Sequence, residues 1–416
     1  MKFTRVFAFM ALAGLAGSAY ATNGYFSHGY GMKAKGMAGA STASSDDAFG
    51  GANNPASMAF AGNRLDLGVD LFSPIRESSR TGGGLNGTSE SNSNYFLIPE
   101  FGYNRMVNNN LALGVTVYGN GGMNTNYSEV VPTMNLLGGS GKLGVNLTQL
   151  IVAPTAAYQV APNHSIGISP LIGYQRFKAY GLQAFAALST DTTGATVTNG
   201  GFDDAFGYGV RIGYMGKITP TVTIGAAYAS TMKFDEFSKY AGLFAEQGGF
   251  DIPENYNLGV AWQATPAVKL ALDYQRINYS KVNSVGNASA NSLMGVAPLG
   301  ADNGSGFGWD DVGVWKLGME YKYSQQLTLR AGYSHNDNPI SGSDMGEVMF
   351  NILAPAVNTD HASLGFTYTL ASGNEVTMAY THAFDNKVSG ADPFFMGTDT
   401  IKMYQNSLGI QYSWKM

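Results

Sequence analysis

Residues Phe206-Gly207-Tyr208-Gly209-Val210-Arg211-Ile212-Gly213-Tyr214 sort by parity: every even position is apolar and every odd one is glycine or arginine. Successive side chains of a β-strand point to opposite faces. This stretch therefore makes a strand with one face fit for lipid and the other for water or a narrow interior. The same division recurs in Leu364, Phe366, Tyr368 and Leu370 against Ser363, Gly365, Thr367 and Thr369. It returns in Leu408, Ile410, Tyr412 and Trp414 against Ser407, Gly409, Gln411 and Ser413. A soluble sandwich also alternates, so the pattern alone leaves a soluble and a membrane reading open.

The number and spacing of such runs separate the two. Strands are predicted at 64–75, 94–107, 110–121, 147–159, 164–178, 204–217, 221–235, 255–264, 267–280, 311–323, 326–336, 360–370, 374–385 and 401–415, an even total of 14. Connections after even-numbered strands are tight, as at Asn108-Asn109, Ala161-Asn163, Thr219-Pro220, Thr265-Pro266, Ser324-Gln325 and Ala371-Gly373. Those after odd-numbered strands (76–93, 122–146, 179–203, 236–254, 281–310, 337–359 and 386–400) are long and rich in Gly, Ser, Asn and Asp. One rim of short turns and one of long loops is the organisation of an outer-membrane barrel. The expected fold is all-β, a 14-stranded antiparallel transmembrane β-barrel over residues 63–416.

Composition agrees. Only 13% of the 416 residues are charged, about half the ~25% of a soluble domain. There are 55 Gly and no Cys, and the formal charge of -5 argues against a nucleic-acid surface. Beyond the N-terminus no stretch approaches the ~20 apolar residues of a spanning helix. At that terminus Lys2 and Arg5 precede an apolar run from Val6 to Ala16 and a small-x-small site, Ala19-Tyr20-Ala21. This reads as a signal peptide over 1–21, cleaved before Thr22, with a retained anchor helix as the alternative. An exported barrel implies the outer membrane of a Gram-negative cell.

Fourteen strands enclose a lumen too wide for side chains to fill, since about eight already suffice for a packed interior. Residues 22–62 precede the first strand, lack alternation and are rich in Gly and Ala. They read as a compact plug, or alternatively as a loose periplasmic tail.

In this segment the chain resembles the FadL family of outer-membrane transporters for long-chain fatty acids and, in some branches, aromatic hydrocarbons. The resemblance lies in Thr22-Asn23-Gly24-Tyr25-Phe26, in Lys33-Ala34-Lys35-Gly36-Met37-Ala38-Gly39-Ala40, and in Asp47-Ala48-Phe49 leading to Asn53-Asn54-Pro55-Ala56. It implies that 22–62 is a hatch, with Thr22, Asn23, Gly24, Tyr25, Phe26, Phe49, Asn54, Pro55 and Ala56 on the ligand path. It also implies loops that capture a hydrophobic ligand at the outer leaflet, where lipopolysaccharide slows it, with Leu136 and Leu137, Phe185 with Leu188, and Leu243 with Phe244 as candidate patches; loops packed against their own barrel are the alternative. Exit would be sideways through the wall at a kinked third strand, and the chain would act as a monomer without cofactor. The C-terminus departs from the family, because Tyr412-Ser413-Trp414-Lys415-Met416 does not end on an aromatic residue.

The third strand itself runs Leu111, Leu113, Val115, Val117 into Tyr118-Gly119-Asn120-Gly121-Gly122. Glycine weakens a ladder and permits bulges, and proline donates no rung. Gly119, Asn120, Gly121 and Gly122, with Pro99 and Pro154 on the neighbouring strands and Pro170 beyond, mark a candidate lateral gate; strand-end glycines and prolines lying outside the membrane are the alternative. By alternation Arg211, Lys269, Asp273, Lys316, Glu320, Lys322 and Arg330 point inward, with Asp66, Asp70 and Glu100. Arg211 and Arg330 are candidate partners for a ligand carboxylate, or pair with nearby acids or the hatch.

No catalytic residues are indicated. His28, His164, His335, His361 and His382 are scattered without metal spacing, and no nucleophile elbow or phosphate loop is present. His335 near Asp337 and His361 near Asp360 read as solvated strand ends, and Asp302, Asp310 and Asp311 as loop acids facing water rather than calcium. An aqueous porin, or an adhesin acting through its loops, remains a rival to hydrophobic uptake.

Overall fold

The computed structural model describes residues 23–44 and 46–416; the signal-peptide reading of 1–21 and the ligand-path assignment of Thr22 lie outside them. The wall consists of β1 (Arg64–Thr81), β2 (Phe96–Met106), β3 (Leu111–Asn124), β4 (Gly144–Ala161), β5 (His164–Tyr180), β6 (Asp203–Lys217) and β7 (Val222–Ala229). It continues through β8 (Asn255–Gln263), β9 (Val268–Ile277), β10 (Val312–Lys322), β11 (Leu327–Asn336), β12 (Asp360–Thr369), β13 (Glu375–Asp392) and β14 (Gly397–Lys415). Each strand pairs with its predecessor, and β14 closes the ring on β1 from Arg64↔Lys415 to Thr81↔Thr398. Closure is what hydrocarbon demands, because it cannot satisfy a free strand edge.

Alternation fixes which face meets lipid. Phe206, Tyr208, Ile212, Leu364, Tyr368, Leu408 and Ile410 are exposed on the outer wall, Tyr208 to 74%. Their neighbours Gly207, Arg211, Ser363 and Gln411 face the interior, where most of them are buried.

The strands differ from expectation mainly at their loop-side ends: the predicted 221–235 stops at Ala229, while β1, β3, β4, β13 and β14 extend further than predicted. The predicted loop 386–400 is mostly ladder, since β13 runs to Asp392 and β14 starts at Gly397. Similarly β1 continues to Thr81, with a short strand Gly87–Glu90 folded back on Glu77–Arg80. These extensions stand beyond the apolar band, so their outer faces are polar and carry no lipid signal. Inside them Arg80 is fully buried, ion-paired with Asp392 and Asp399 and donating to the Leu136 carbonyl.

The long loops fold inward. Leu136, Leu137, Phe185, Leu243 and Phe244, candidates for capture patches or for loop packing, are buried as the packing alternative has them, and Leu188 is half-buried against them. Phe177 meets Phe244 and Tyr240 at ring distances of 4.7 and 4.8 Å, and Phe185 meets Phe350 at 5.2 Å. Loop residues this apolar gain more by packing together than by facing water. Exposed apolar positions in the long connections include Met294, Val296, Met345 and Met396, the last 80% exposed.

Candidate functional site

Residues 23–62 touch the inward side chains of most wall strands, which places them within the ring. Two short elements organise the segment: a helical turn Met32–Lys35 and a 3-10 helix Pro55–Phe60. Proline suits the first turn, where its missing N–H is not needed. Asn54 caps that turn by accepting from Ala56 N at 3.1 Å, and its Nδ2 donates to the carbonyls of Thr42 and Tyr214. The inward glycines of the wall now have a reason. A Cβ at Gly102, Gly167, Gly213, Gly225 or Gly332 would run into the segment's backbone or the Asn54 side chain.

Most of the inward charges are brackets for this segment. Lys35 Nζ lies 2.8 Å from Asp70 and 2.9 Å from Glu100. Lys33 reaches Glu375 at 3.0 Å and Asp46 at 3.1 Å. Asp273 accepts from Ser41 N and Thr42 N, both at 2.8 Å, and Asp66 accepts from Ala48 N at 2.7 Å. Lys316 donates to the His28 carbonyl at 3.2 Å. Of the two candidate carboxylate partners, Arg211 donates to the carbonyls of Gly51 and Ala52, and Arg330 pairs with Glu320 at 2.7 Å and donates to Thr367. Lys322, expected inside, is exposed at the turn end of β10. His361 is a further correction: it is fully buried, its ring 4.3 Å from that of His28, because the inward face of β12 is roofed by the segment. His335 pairs across the ladder with Asp360 at 2.9 Å rather than with Asp337.

The turn Asn23–Phe26 meets β3 where that strand is irregular. Phe26 bridges to Gly121, Ser27 N donates to the Asn120 carbonyl at 3.3 Å, and the Tyr30 hydroxyl donates to the same carbonyl at 3.1 Å. Asn120 is the bulged residue of the β3–β4 ladder, which passes from Gly119↔Leu150 to Gly121↔Gln149. From the loops, the Tyr279 hydroxyl donates to the Asn23 carbonyl and accepts from Tyr25 N. The Tyr25 ring lies 5.3 Å from Tyr279 and 6.0 Å from Trp309. Neither Tyr279 nor Trp309 was identifiable from sequence, because nothing local to them signals a partner some 250 residues away in the chain.

The wall is incomplete at the same height. β3 pairs with β2 only from Ala112 to Val117, opposite Met106 to Phe101. Phe96–Glu100 therefore keep β1 as partner but have no rung toward β3, while Tyr118–Asn124 turn inward on β4. Pro99 stands on that unpaired edge. Phe49, Asn54, Pro55 and Ala56 lie elsewhere in the segment: Phe49 against Gly31, the other three against β5 and β6. Pro154 is also elsewhere, in the β4–β5 seam opposite Pro170, where the ladder skips from Val152↔Ile172 to Ala156↔Ile168. The candidate gate residues thus divide between two seams, and only the β2–β3 seam touches Asn23–Phe26.

The chain is similar to known proteins. Residues 13–405 match the family model described as outer membrane protein transport protein (OMPP1/FadL/TodX). The Pseudomonas putida toluene transporter TodX superposes with a TM-score of 0.70 at 20% identity, over 94% of this chain and 99% of that one. A Pseudomonas aeruginosa FadL homologue gives 0.68 at 16% identity over 93% and 99%. The Ralstonia pickettii toluene transporter TbuX gives 0.64 at 17% over 94% and 99%. Among curated protein sequences, none matches.

Proposed function

The chain belongs to the OMPP1/FadL/TodX family of outer-membrane transport proteins, and from that premise we propose that it carries hydrophobic small molecules, fatty acids or aromatic hydrocarbons, passively across the outer membrane. Residues 23–62 act as the hatch. The ligand meets the exposed Val296 and the exposed Met294, Met345 and Met396, whose flexible thioethers suit varied apolar shapes, and passes through the aromatic interior of the loops to Tyr25 and Phe26. The hatch shifts, and the ligand leaves sideways between β2 and β3. Transport of this kind involves no bond making, and a single chain supplies the whole path.

The observation that carries this reading is one coincidence. The hatch turn rests on the bulge at Asn120 and Gly121, just beyond Val117, the last residue of β3 that pairs with β2. An opening into hydrocarbon suits a ligand that prefers lipid to water. An open aqueous pore fits poorly, because residues 23–59 are nearly all buried and bracketed by the wall.

The test is uptake of oleate and of toluene by liposomes carrying the purified full chain, with ion conductance recorded in planar bilayers. Uptake of at least one above protein-free liposomes, with little steady conductance, is expected. Steady conductance without hydrophobic uptake would replace this reading by a porin.

A further inference from the structure

The lipid-facing side of β5 changes character along its length. Its outward residues are Ile166, Ile168, Pro170 and Ile172, then Tyr174, Arg176, Lys178 and Tyr180. From Ile166 to Tyr174 the strand climbs about 27 Å, or about 21 Å along the membrane normal at a tilt near 40°. That nearly spans the ~25 Å apolar band of an outer-membrane barrel. Arg176 and Lys178 follow about 5 and 10 Å above Tyr174 on the long-loop side, at the height of lipid head groups.

The two cations share one aromatic surface. The Arg176 guanidinium lies 3.6 Å from the centre of the Phe202 ring and the Lys178 ammonium 4.6 Å from it. Lys239 Nζ donates to the Phe202 carbonyl and so holds that residue in place. A ring face positions a cation without neutralising it. Among the described residues no carboxylate stands within ion-pair distance of Arg176 or Lys178. Asp204, opposite Arg176 in the β5–β6 ladder, accepts from the Tyr174 hydroxyl at 2.6 Å instead. On the other side β4 places the uncharged Thr148 and Asn146 opposite Arg176 and Lys178. Other cations around this rim have acids: Lys233 pairs with Asp251, Arg276 with Asp311, and Lys402, flanked by Glu77 and Lys387, with Asp385.

We propose that Arg176, Lys178 and Phe202 form a binding site for the phosphorylated head group of lipid A, the membrane anchor of lipopolysaccharide in the outer leaflet. Unneutralised positive charge, head-group height and a continuous apolar face below it coincide there. A phosphate takes paired N–H donors from Arg176 and a point charge from Lys178, and Thr148 and Asn146 add neutral donors. The acyl chains run down the wall over Ile172 and its ladder neighbour Tyr208, and over Phe206 beside Tyr174, where the side chains are exposed. Occupancy also steadies the loops, because Phe202 belongs to one long connection and Lys239, which holds it, to the next. The proposal rests on the barrel's place in the outer membrane and not on what passes through it.

The experiment is native mass spectrometry of the purified full chain in detergent, with lipid A, with lipid A stripped of its phosphates, and with phosphatidylglycerol. The wild-type protein is expected to retain lipid A about tenfold or more better than the dephosphorylated form, as charge-assisted bonds warrant, and better than phosphatidylglycerol. When Arg176→Gln and Lys178→Gln are combined the preference for phosphate falls to near one, whereas Lys402→Gln keeps it. Equal retention of the two forms of lipid A by the wild-type protein, a preference that survives in the double variant, or its loss in Lys402→Gln overturns the proposal. Phosphatidylglycerol held as tightly as lipid A overturns it too, in favour of a general anionic-lipid site. If the double variant does not assemble, the wild-type ratio and Lys178→Gln alone, expected to lose part of the preference, decide.

Discussion

Phe26 pairs backbone to backbone with Gly121, so the hatch turn and the bulged third strand form one unit. A Cβ at position 121 would overlap the Tyr25 carbonyl, and backbone offers little give. Gly121→Ala is therefore expected to push Asn23–Phe26 off the strand, and Gly121→Val to do so further. The measurable result is more frequent conductance events in planar bilayers and altered dodecanoate uptake. Wild-type conductance and uptake in Gly121→Val would show that the contact is dispensable.

Lys35 is the strongest single bracket, with two buried acids on one ammonium. In Lys35→Met, Asp70 and Glu100 lose their countercharge while the hatch still shields them from water. Breaking a buried pair in this way costs about 3–5 kcal/mol. A clear fall in the temperature at which the barrel loses its heat-modifiable gel mobility is expected, and adding Glu100→Gln should restore part of it. No shift would mean that water already reaches these acids.

Much of the wall was legible because lipid imposes a simple rule on every spanning strand: the outer face of Phe206 to Tyr214 must be apolar whatever lies inside. That rule stops where lipid stops. Hence β1 and β13 were read as ending near Ile75 and Asp385, and Arg76, one residue past the apparent end of β1, was taken for a loop residue. The inner face was legible as small or charged but not as to purpose. Gly213 and Arg211 are what they are because Asn54 and Ala52 sit opposite, a relation between distant parts of the chain that period-two alternation does not encode. For the same reason loop side chains such as Phe244 were legible only as either capture surface or loop packing, since packing among loops leaves no periodic mark.

His28 is expected to give the hatch a pH dependence. Burial, reinforced by His361 and the charges of Lys316 and Lys35, holds its imidazole well below the usual value. An undocked or unfolded hatch takes up a proton below about pH 6.5 while the docked one resists. The docked state thus has its full stability above that pH and loses it as pH falls, by at most about 1.4 kcal/mol per unit for one histidine. Conductance should rise between pH 7.5 and 5.5, and His28→Gln should flatten the rise. A variant with an unchanged pH profile would assign the effect elsewhere.

Removing the whole hatch should be milder for the wall than removing Lys35 alone. Without residues 23–60, Asp70, Glu100 and Asp273 lose their partners, but the lumen fills with water, so each acid is hydrated rather than left buried and unpaired. The ladders and the lipid-facing side chains, which hold the barrel in the membrane, are untouched by the deletion. The truncated chain is therefore expected to assemble, to keep its heat-modifiable mobility at a temperature above that of Lys35→Met, and to conduct ions steadily through a lumen lined by the inward glycines. If the truncated barrel failed to assemble, the N-terminal segment would be part of the folding core rather than a removable hatch; if it assembled yet stayed closed to ions, the inward-folded loops rather than residues 23–60 would be the barrier.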